Sequence, residues 1–249
     1  MIVRGKEKAS REVRIGTAGW NIPAQDAGQF GSGGSHLERY ASVLNCVEIN
    51  TSFHRPHRRA TYERWAATVP SDFRFACKVP KSISHAPALD FDRGDVERFF
   101  GEIAGLGSKL GILLLQMPPS TVFAKRSARK LISALQKHTT VPVVCEPRHA
   151  SWFTDQADSW LAGRHVPRVA ADPARVPSAA APGGWTKLAY FRLHGSPRVY
   201  YSRYDTAALA AIKARLADYA AVAPVWCIFD NTAAGAAIDN ALTLRATAS

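Results

Sequence analysis

The chain has 249 residues, 47% of them hydrophobic, so it can bury one large core and matches the usual size of a single α/β barrel. Its 32 Lys and Arg against 20 Asp and Glu give a formal charge of +12, which favours an anionic partner, although a basic surface alone gives the same sum. Without a long apolar stretch or the apolar core of a signal peptide, the sequence predicts a cytoplasmic protein and no membrane partner.

The predicted fold begins after a short charged segment. Residues 1–11 are charged and aperiodic, which predicts a flexible basic tail, and residues 12–249 are predicted to form one barrel domain. A β-rich run over 13–17 leads into a glycine-containing turn that ends at Trp20. The small residues of this turn allow backbone N–H groups to approach a ligand, so Trp20 is a candidate ligand contact.

Apolar runs and helical periods then alternate along the chain. Strands are predicted over 13–17, 46–50, 73–78, 111–116, 141–146, 168–171, 188–194 and 225–229. Helices are predicted from a capping box at Ser35 and from the apolar stripe that begins at Tyr62, and over 95–106, 125–137, 152–163, 206–221 and 233–245.

This alternation predicts an α/β fold, a single TIM-type (β/α)8 barrel, and a doubly wound open sheet is the alternative. Residues 172–184 are rich in Pro, Ala and Gly, which predicts an irregular connection between strands 6 and 7 where a regular barrel has a helix. The four cysteines lie in four different apolar runs without metal-binding spacing, which indicates buried thiols in a reducing compartment.

Polar residues gather where the predicted strands end. Those with candidate catalytic roles are Glu48, Lys78, Glu146 and His194. Those with candidate substrate-binding roles, besides Trp20, are Asn50, Gln116, Arg148, His149, Arg192, Asp230 and Asn231. Because a TIM barrel carries its active site at the C-terminal ends of its strands, we expect these side chains to share one face.

Strand periodicity assigns several of these groups to the barrel interior. Arg192 and His194 alternate with apolar neighbours, and Glu48 does the same on the second strand. The two glutamates could act as a carboxylate pair, and His194 could move protons. Lys78 could be a positive clamp or an amine of lowered pKa for imine chemistry.

The arginines of this set have two interpretations. Arg148 and Arg192 could grip a phosphate or carboxylate. The pairs of Glu48 with Arg192 and of Glu146 with Arg148 could equally be structural ion pairs that brace the barrel.

Three functions are consistent with these residues. The first is an enzyme, a hydrolase, lyase or isomerase, that applies acid/base chemistry to an anionic small molecule such as a phosphorylated sugar or a nucleotide-like compound. The second is a nucleic-acid-binding or -processing protein, because residues 198–204 interleave Arg with Tyr. The third is a non-catalytic protein that binds a small ligand.

The cofactor and the oligomeric state stay open at this level. The sequence has neither a Walker loop nor a Rossmann glycine fingerprint, so we expect no nucleotide cofactor. No metal site is assigned, but a single divalent ion held by strand-end acids is compatible with the sequence.

Seven ordered motifs resemble the YecE-like family, also called domain of unknown function 72. They are Ile15-Gly16-Thr17-Ala18-Gly19-Trp20, Val47-Glu48-Ile49-Asn50 with Phe53 and Pro56, Trp65 with Pro70 and Phe73 to Lys78, Leu115-Gln116-Met117-Pro118-Pro119, Glu146-Pro147-Arg148-His149 with Trp152, Tyr190-Phe191-Arg192-Leu193-His194-Gly195, and Phe229-Asp230-Asn231 with Gly235-Ala236 and Asn240-Ala241. The resemblance implies a TIM-type barrel and no established reaction.

Two positions depart from the family pattern. His54 follows Phe53 where the family usually has a tyrosine, and Asn21-Ile22 follows Trp20 where an aromatic residue is common. If the tyrosine hydroxyl contacts the ligand in the family, His54 replaces it with a group that titrates near pH 6.5, so His54 is a further candidate substrate-binding residue.

Overall fold

The structure, a computed structural model, describes residues 12–246. The predicted tail over 1–11 lies outside the described residues. The strands are β1 Val13–Ala18, β2 Cys46–Ile49, β3 Arg74–Lys78, β4 Leu110–Gln116, β5 Val143–Glu146, β6 Pro167–Arg168, β7 Ala170–Asp172, β8 Gly183–Gly184, β9 Ala189–Leu193 and β10 Val225–Phe229.

Helices follow most of the strands. They are α1 His36–Ala41, α2 Thr51–His54, α3 Arg59–Thr68, α4 Lys81–Ser84, α5 Arg93–Ile103, α6 Lys125–Gln136, α7 Asp155–Ala162, α8 Thr206–Ala220 and α9 Ala236–Ala246. The capping box predicted at Ser35 is present, with the Ser35 hydroxyl and the Glu38 carboxylate each accepting from the other residue's backbone N–H. None of the helices in the described residues is both long and apolar enough to cross a bilayer.

The ten strands form one nearly closed barrel in the order β7-β9-β10-β1-β2-β3-β4-β5-β6-β8. Every pairing is parallel except that of β6 with β8. The segments β6 and β7 follow each other directly, with only Val169 between them, and pair with β5 and β9 respectively. The two ends of the sheet therefore meet, which confirms the predicted barrel over the open doubly wound sheet.

The strand count differs from the predicted eight. The run predicted over 168–171 is two short strands because the chain changes partner at Val169, whose N–H bonds to the Cys145 carbonyl at 2.9 Å. The additional strand, β8, is a two-residue antiparallel segment. The irregular connection between these strands and β9 is confirmed, since it holds only a 3-10 turn over Pro177–Ala180 and β8.

Side chains from alternate strand positions form two separate apolar clusters. One fills the barrel interior and includes Tyr190 and Ile228. The other lies between the strands and the helices and includes Phe191 and Leu193. This is the predicted parity, because neighbours on one strand point to opposite faces of the sheet.

Close approach of β1 to β2 requires a glycine. A Cβ atom on Gly16 would lie 2.1 Å from the carbonyl oxygen of Cys46, which no side chain can tolerate without backbone movement. The glycine therefore lets these strands pair so that Ala18 lies beside Glu48, at the end of the barrel where the polar groups gather.

Candidate functional site

The interior of the barrel changes from apolar to charged toward the C-terminal ends of the strands. On β9 the inward residues are Tyr190 and then Arg192, and on β2 they are Cys46 and then Glu48. The strand register sets Gln116 beside Glu146. Parallel pairing thus brings the predicted strand-end groups to one face, because equivalent positions on all strands lie at the same height.

Arg192 lies at the centre of this charged layer. Its Nε and Nη2 donate to both carboxylate oxygens of Glu48, at 3.0 and 2.7 Å. Its Nη1 donates to Glu146 at 2.7 Å and its Nη2 also to Asp230 at 2.9 Å. The side chain is 1% exposed. Each of its nitrogen atoms is therefore engaged within the protein, a geometry that only the planar guanidinium supplies.

These contacts decide the charge of the central groups. Burial acts to lower the pKa of Arg192, but the carboxylates, with Glu48 foremost, raise it well above its usual value. Burial acts to raise the pKa of Glu146, but Arg192, Arg148 and His194 hold it well below its usual value. Asp230 follows the same pattern, with Arg192 as the main cause of its lowered pKa. Arg192, Glu146 and Asp230 are therefore ionised at neutral pH.

His194 joins two of the acids. Its Nε2 lies 2.9 Å from Glu146 Oε1 and its Nδ1 lies 3.0 Å from Asp230 Oδ2, and the side chain is fully buried. Arg148 Nη2 lies 2.6 Å from Glu146 Oε1 and 2.9 Å from His194 Nε2. A doubly protonated ring donates to both carboxylates, whereas a neutral ring donates to Asp230 and accepts from Arg148. His194 Nε2 thus has both an acceptor, Glu146, and a donor, Arg148, within hydrogen-bonding distance.

Tyr190 orients Glu48 from below, because its hydroxyl donates to Glu48 Oε2 at 2.9 Å in a fully buried position. We expect Tyr190→Phe to lower the free energy of unfolding by about 1.5 kcal/mol, since hydrogen bonds to charged groups contribute that much. Urea denaturation measures the change. Tyr201→Phe is the matched control, because Tyr201 is 45% exposed, and we expect a change below about 0.5 kcal/mol. Equal effects of both substitutions would contradict the role of Tyr190.

Lys78 differs from the other charged groups of the layer. Its Nζ lies 4.2 Å from the centre of the Phe53 ring and has no hydrogen bond or ion pair within residues 12–246, although the residue is only 8% exposed. Burial, followed by repulsion from Arg192, lowers the pKa of Lys78, and the acids of the network oppose this shift. Within the described residues, Lys78 is therefore a cation of this layer that no protein acceptor holds.

Two further groups at this face have unused hydrogen-bonding atoms. Asn50 donates to Asp230 Oδ1 at 3.5 Å, and its own Oδ1 is buried without a partner in the described part of the chain. Arg148 Nε is likewise buried without a hydrogen-bond partner in the described residues. Together with Lys78 they provide two cationic donors and one acceptor beside the network.

Other predicted site residues lie outside the network. His149 caps the 3-10 turn Ala150–Phe153 through Ser151, and Asn231 donates to the Ser202 carbonyl and to Asn240. Gln116 makes one 3.4 Å bond to the carbonyl of Met117, and Trp20 packs edge-on against Trp65 at 5.0 Å. Of these four, Trp20, Gln116 and His149 keep the partial exposure that a ligand contact needs, whereas Asn231 is fully buried.

His54 is exposed at the end of α2. Its ring lies 4.9 Å from Phe53, which also contacts Lys78, and it lines a separate cavity of about 240 Å³ with Arg55 and Lys81. His54 is thus separated from Lys78 of the charged layer by the Phe53 ring, which contacts both residues.

Sequence reasoning missed the roles of Tyr190 and Phe53. Tyr190 has the same strand parity as Arg192, which is the signal that could have placed it beneath the carboxylates. Phe53 gives no such signal, because it lies on the short helix α2, which the sequence did not predict.

The carboxylates of the layer converge on a guanidinium. In the described ranges, no group of three or more His, Cys, Asp or Glu side chains has the geometry of a metal site. Glu48, Glu146 and Asp230 direct their oxygens at Arg192, whose positive charge occupies the position that a divalent ion would need.

A family model described as "Protein of unknown function DUF72" matches residues 14–249. The chain belongs to the DUF72 family. This confirms the family expected from the seven motifs and covers almost all of the described barrel.

Two related sequences carry family names without a stated activity. The UPF0759 protein YecE of Escherichia coli (strain K12) is 36% identical over 106 residues, 43% of this DUF72 chain and 38% of YecE. The UPF0759 protein YunF of Bacillus subtilis (strain 168) is 25% identical over 154 residues, 57% of this chain and 52% of YunF. The matched region thus spans between about two fifths and one half of these relatives.

Two solved structures have the same fold as this DUF72 chain. A DUF72 family protein from Enterococcus faecalis V583 has a TM-score of 0.78 at 23% identity, covering 94% of each chain. A DUF72 family protein from Thermotoga maritima MSB8 has a TM-score of 0.75 at 22% identity, covering 95% of this chain and 99% of that one. At this identity the likeness establishes the barrel fold alone.

Proposed function

We propose that this chain is an enzyme that acts on an anionic small molecule by acid/base chemistry at the C-terminal face of the barrel. The observation that carries the proposal is Lys78, a nearly buried amine without a protein partner in the described residues, set beside an ion network that includes a histidine. All four cysteines are buried free thiols, which supports the cytoplasmic location that we propose for it.

The charge of the expected ligand follows from which groups remain unpaired. The acids of the network already accept from Arg192, Tyr190, His194 or Arg148, so they offer few free lone pairs. In the part of the chain that the structure describes, Lys78 Nζ and Arg148 Nε are cationic donors without a protein acceptor. A phosphate or a carboxylate supplies the acceptors that these two donors lack.

Proton transfer belongs to the same face. His194 lies between two acids whose pKa is lowered, with one ring nitrogen within hydrogen-bonding distance of each carboxylate. We assign His194 as the group that holds or releases a proton, and Glu146 and Asp230 as the groups that orient the ring. Glu48, saturated by Arg192 and Tyr190, holds the guanidinium in place.

Anion binding tests this proposal without knowledge of the reaction. We expect Lys78→Met to weaken binding of inorganic phosphate, glucose 6-phosphate or AMP by about tenfold or more, because a charged hydrogen bond contributes about 1.5–3 kcal/mol. Titrations followed by NMR measure the affinities. Lys81→Met, which removes an exposed lysine from the adjacent helix α4, is the matched control, and we expect little change.

Equal affinities in the Lys78→Met and Lys81→Met variants for all three probes would overturn the proposed site. A screen of phosphatase, lyase and isomerase substrates with the parent protein then separates an enzyme from a binding protein. Saturable binding at Lys78 without turnover of any tested class would replace the enzyme with the non-catalytic binder.

A second candidate function is nucleic-acid binding, favoured by one exposed loop. Tyr200 and Tyr201 are each 45% exposed, and the Arg198 guanidinium lies 3.9 Å from the centre of the Tyr201 ring. Exposed aromatics next to arginine suit stacking on the bases of a single strand. Binding through phosphates would weaken steeply with salt and with Arg198→Ala, whereas a flat salt response would remove this candidate.

A further inference from the structure

We infer that Lys78 forms a covalent imine with its substrate, so that the substrate class is an anionic aldehyde or ketone, such as a keto acid or a sugar phosphate with a free carbonyl. This inference rests on the proposed function, because it assigns a chemistry to the same face of the barrel.

The first support is a comparison of the buried cations. Four lysine or arginine side chains are buried in residues 12–246, namely Arg14, Lys78, Arg168 and Arg192. The three arginines bond to carbonyl or carboxylate oxygens. Within the described residues Lys78 has no such bond, although it lies at the end of β3 on the face of the sheet that carries the ion network. An ammonium without an oxygen partner loses its proton more readily than a paired one, so among these buried side chains Lys78 is the one that can supply a free amine after it has attracted an anionic substrate.

The second support is the surroundings of the amine. Phe53 covers it at 4.2 Å, and Arg192, Glu48, Asp230 and Glu146 are the charged groups whose fields act on it. The lowered pKa agrees with the geometry, since burial and Arg192 both disfavour the ammonium. Nζ is thus more nucleophilic near neutral pH than the amine of a solvated lysine.

The chemistry needs no reagent beyond the carbonyl compound and one proton. The Nζ lone pair forms a bond to the carbonyl carbon, the carbonyl π electrons move to oxygen, and a proton passes from nitrogen to that oxygen. The resulting hydroxyl takes up one further proton and leaves as water while the nitrogen lone pair forms the C=N bond. His194 is the group that we assign to supply the second proton, because its ring is held between Glu146 and Asp230.

The anionic end of the substrate has its own partner. Once Nζ is bound to carbon it no longer acts as a free cationic donor, so the phosphate or carboxylate must be held elsewhere. Arg148 Nε is buried without a partner in the part of the chain that the structure describes, whereas its Nη2 is held by Glu146. Arg148 is therefore the group that selects an anionic over a neutral carbonyl compound.

Reductive trapping tests the inference directly. The full chain is incubated near pH 7 with glyoxylate, glycolaldehyde phosphate or neutral glycolaldehyde in the presence of borohydride, and adducts are mapped by mass spectrometry of peptides. We expect both anionic probes to label Lys78 before other lysines. We expect no preferred adduct in Lys78→Arg and an unchanged one in Lys81→Arg. Arg148→Met should slow labelling by the anionic probes at least tenfold and spare the neutral one.

Glycerol phosphate, which has no carbonyl, separates this inference from the proposed function. If Lys78→Met weakens its binding but no probe labels Lys78 preferentially, Lys78 is a charge clamp and the imine inference fails alone. If glycerol phosphate binds without regard to Lys78 and labelling is spread over exposed lysines, both fail. Thermal melts show whether each variant is folded. The rate of labelling in Arg148→Met provides a second readout, because that variant keeps Lys78.

Discussion

Replacing Arg192 by methionine is expected to lower the free energy of unfolding by about 3–5 kcal/mol at neutral pH, because the change leaves buried carboxylates without their cation. Glu48 and Glu146 are each 1% exposed or less, so water cannot replace the lost partner. Methionine fills a similar volume, which confines the effect largely to charge. Urea denaturation followed by circular dichroism measures the difference.

A surface ion pair supplies the control for this substitution. Arg59 pairs with Glu63 one helical turn away, and both side chains are more than half exposed. Arg59→Met should therefore cost less than about 0.5 kcal/mol. The loss of unfolding free energy caused by Arg192→Met should also be smaller in mild acid, because the carboxylates that have lost their cation take up protons there. A deficit below about 1 kcal/mol at pH 7 would contradict a central role for Arg192.

Replacing Glu146 by glutamine is expected to make the free energy of unfolding depend less steeply on pH in acid. Arg192, Arg148 and His194 outweigh burial and hold the folded-state pKa of Glu146 below its usual value, so this group contributes stability above the unfolded-state pKa. That contribution is lost as the pH falls toward the folded-state pKa, because the unfolded chain binds the proton first. Each such carboxyl contributes a slope of about 1.4 kcal/mol per pH unit.

The measurement is the free energy of unfolding of the parent and of Glu146→Gln between about pH 5 and pH 3. We expect the variant to be less stable at neutral pH by about 3 kcal/mol and the gap to narrow by about 1.4 kcal/mol per pH unit below pH 4. Parallel curves for the two proteins would show that Glu146 is not held ionised. Glu63→Gln is the matched control, since Glu63 is 52% exposed and pairs with surface Arg59.

The sequence was sufficient to predict the barrel and the face of the barrel that carries the charged groups. Strand parity placed Arg192 and His194 inside, and the excess of polar residues at strand ends placed Glu48 and Glu146 near them. Both patterns are local properties of a strand, so they can be recognised without knowing which strands are neighbours.

The pairing within the site could not be predicted in the same way. Arg192 contacts Glu48 at a separation of 144 residues, and no sequence pattern indicated that one guanidinium would be shared by three acids. The sequence left open whether these residues bind ligand or brace the barrel. The geometry favours bracing for Arg192 and gives Lys78 no partner within residues 12–246, a distinction that depends on the folded structure.

Loop residues were the least predictable part. His149 follows Glu146 closely in sequence, yet its ring caps the next turn, since the chain changes direction at once. His54 lies on a short helix whose orientation depends on how Phe53 packs against His85 and Lys78. Contacts of this kind are set by tertiary packing, which a single sequence does not encode in any local period.

The most direct test of the account is a crystal structure of the parent protein grown with glucose 6-phosphate. The account predicts density for the phosphate at the C-terminal face of the barrel, within hydrogen-bonding distance of Lys78 Nζ or of the Arg148 guanidinium, and no such density in Lys78→Met crystals grown in the same way. An empty barrel mouth with phosphate bound only at exposed basic residues of the outer helices, or the same density in the variant, would contradict it.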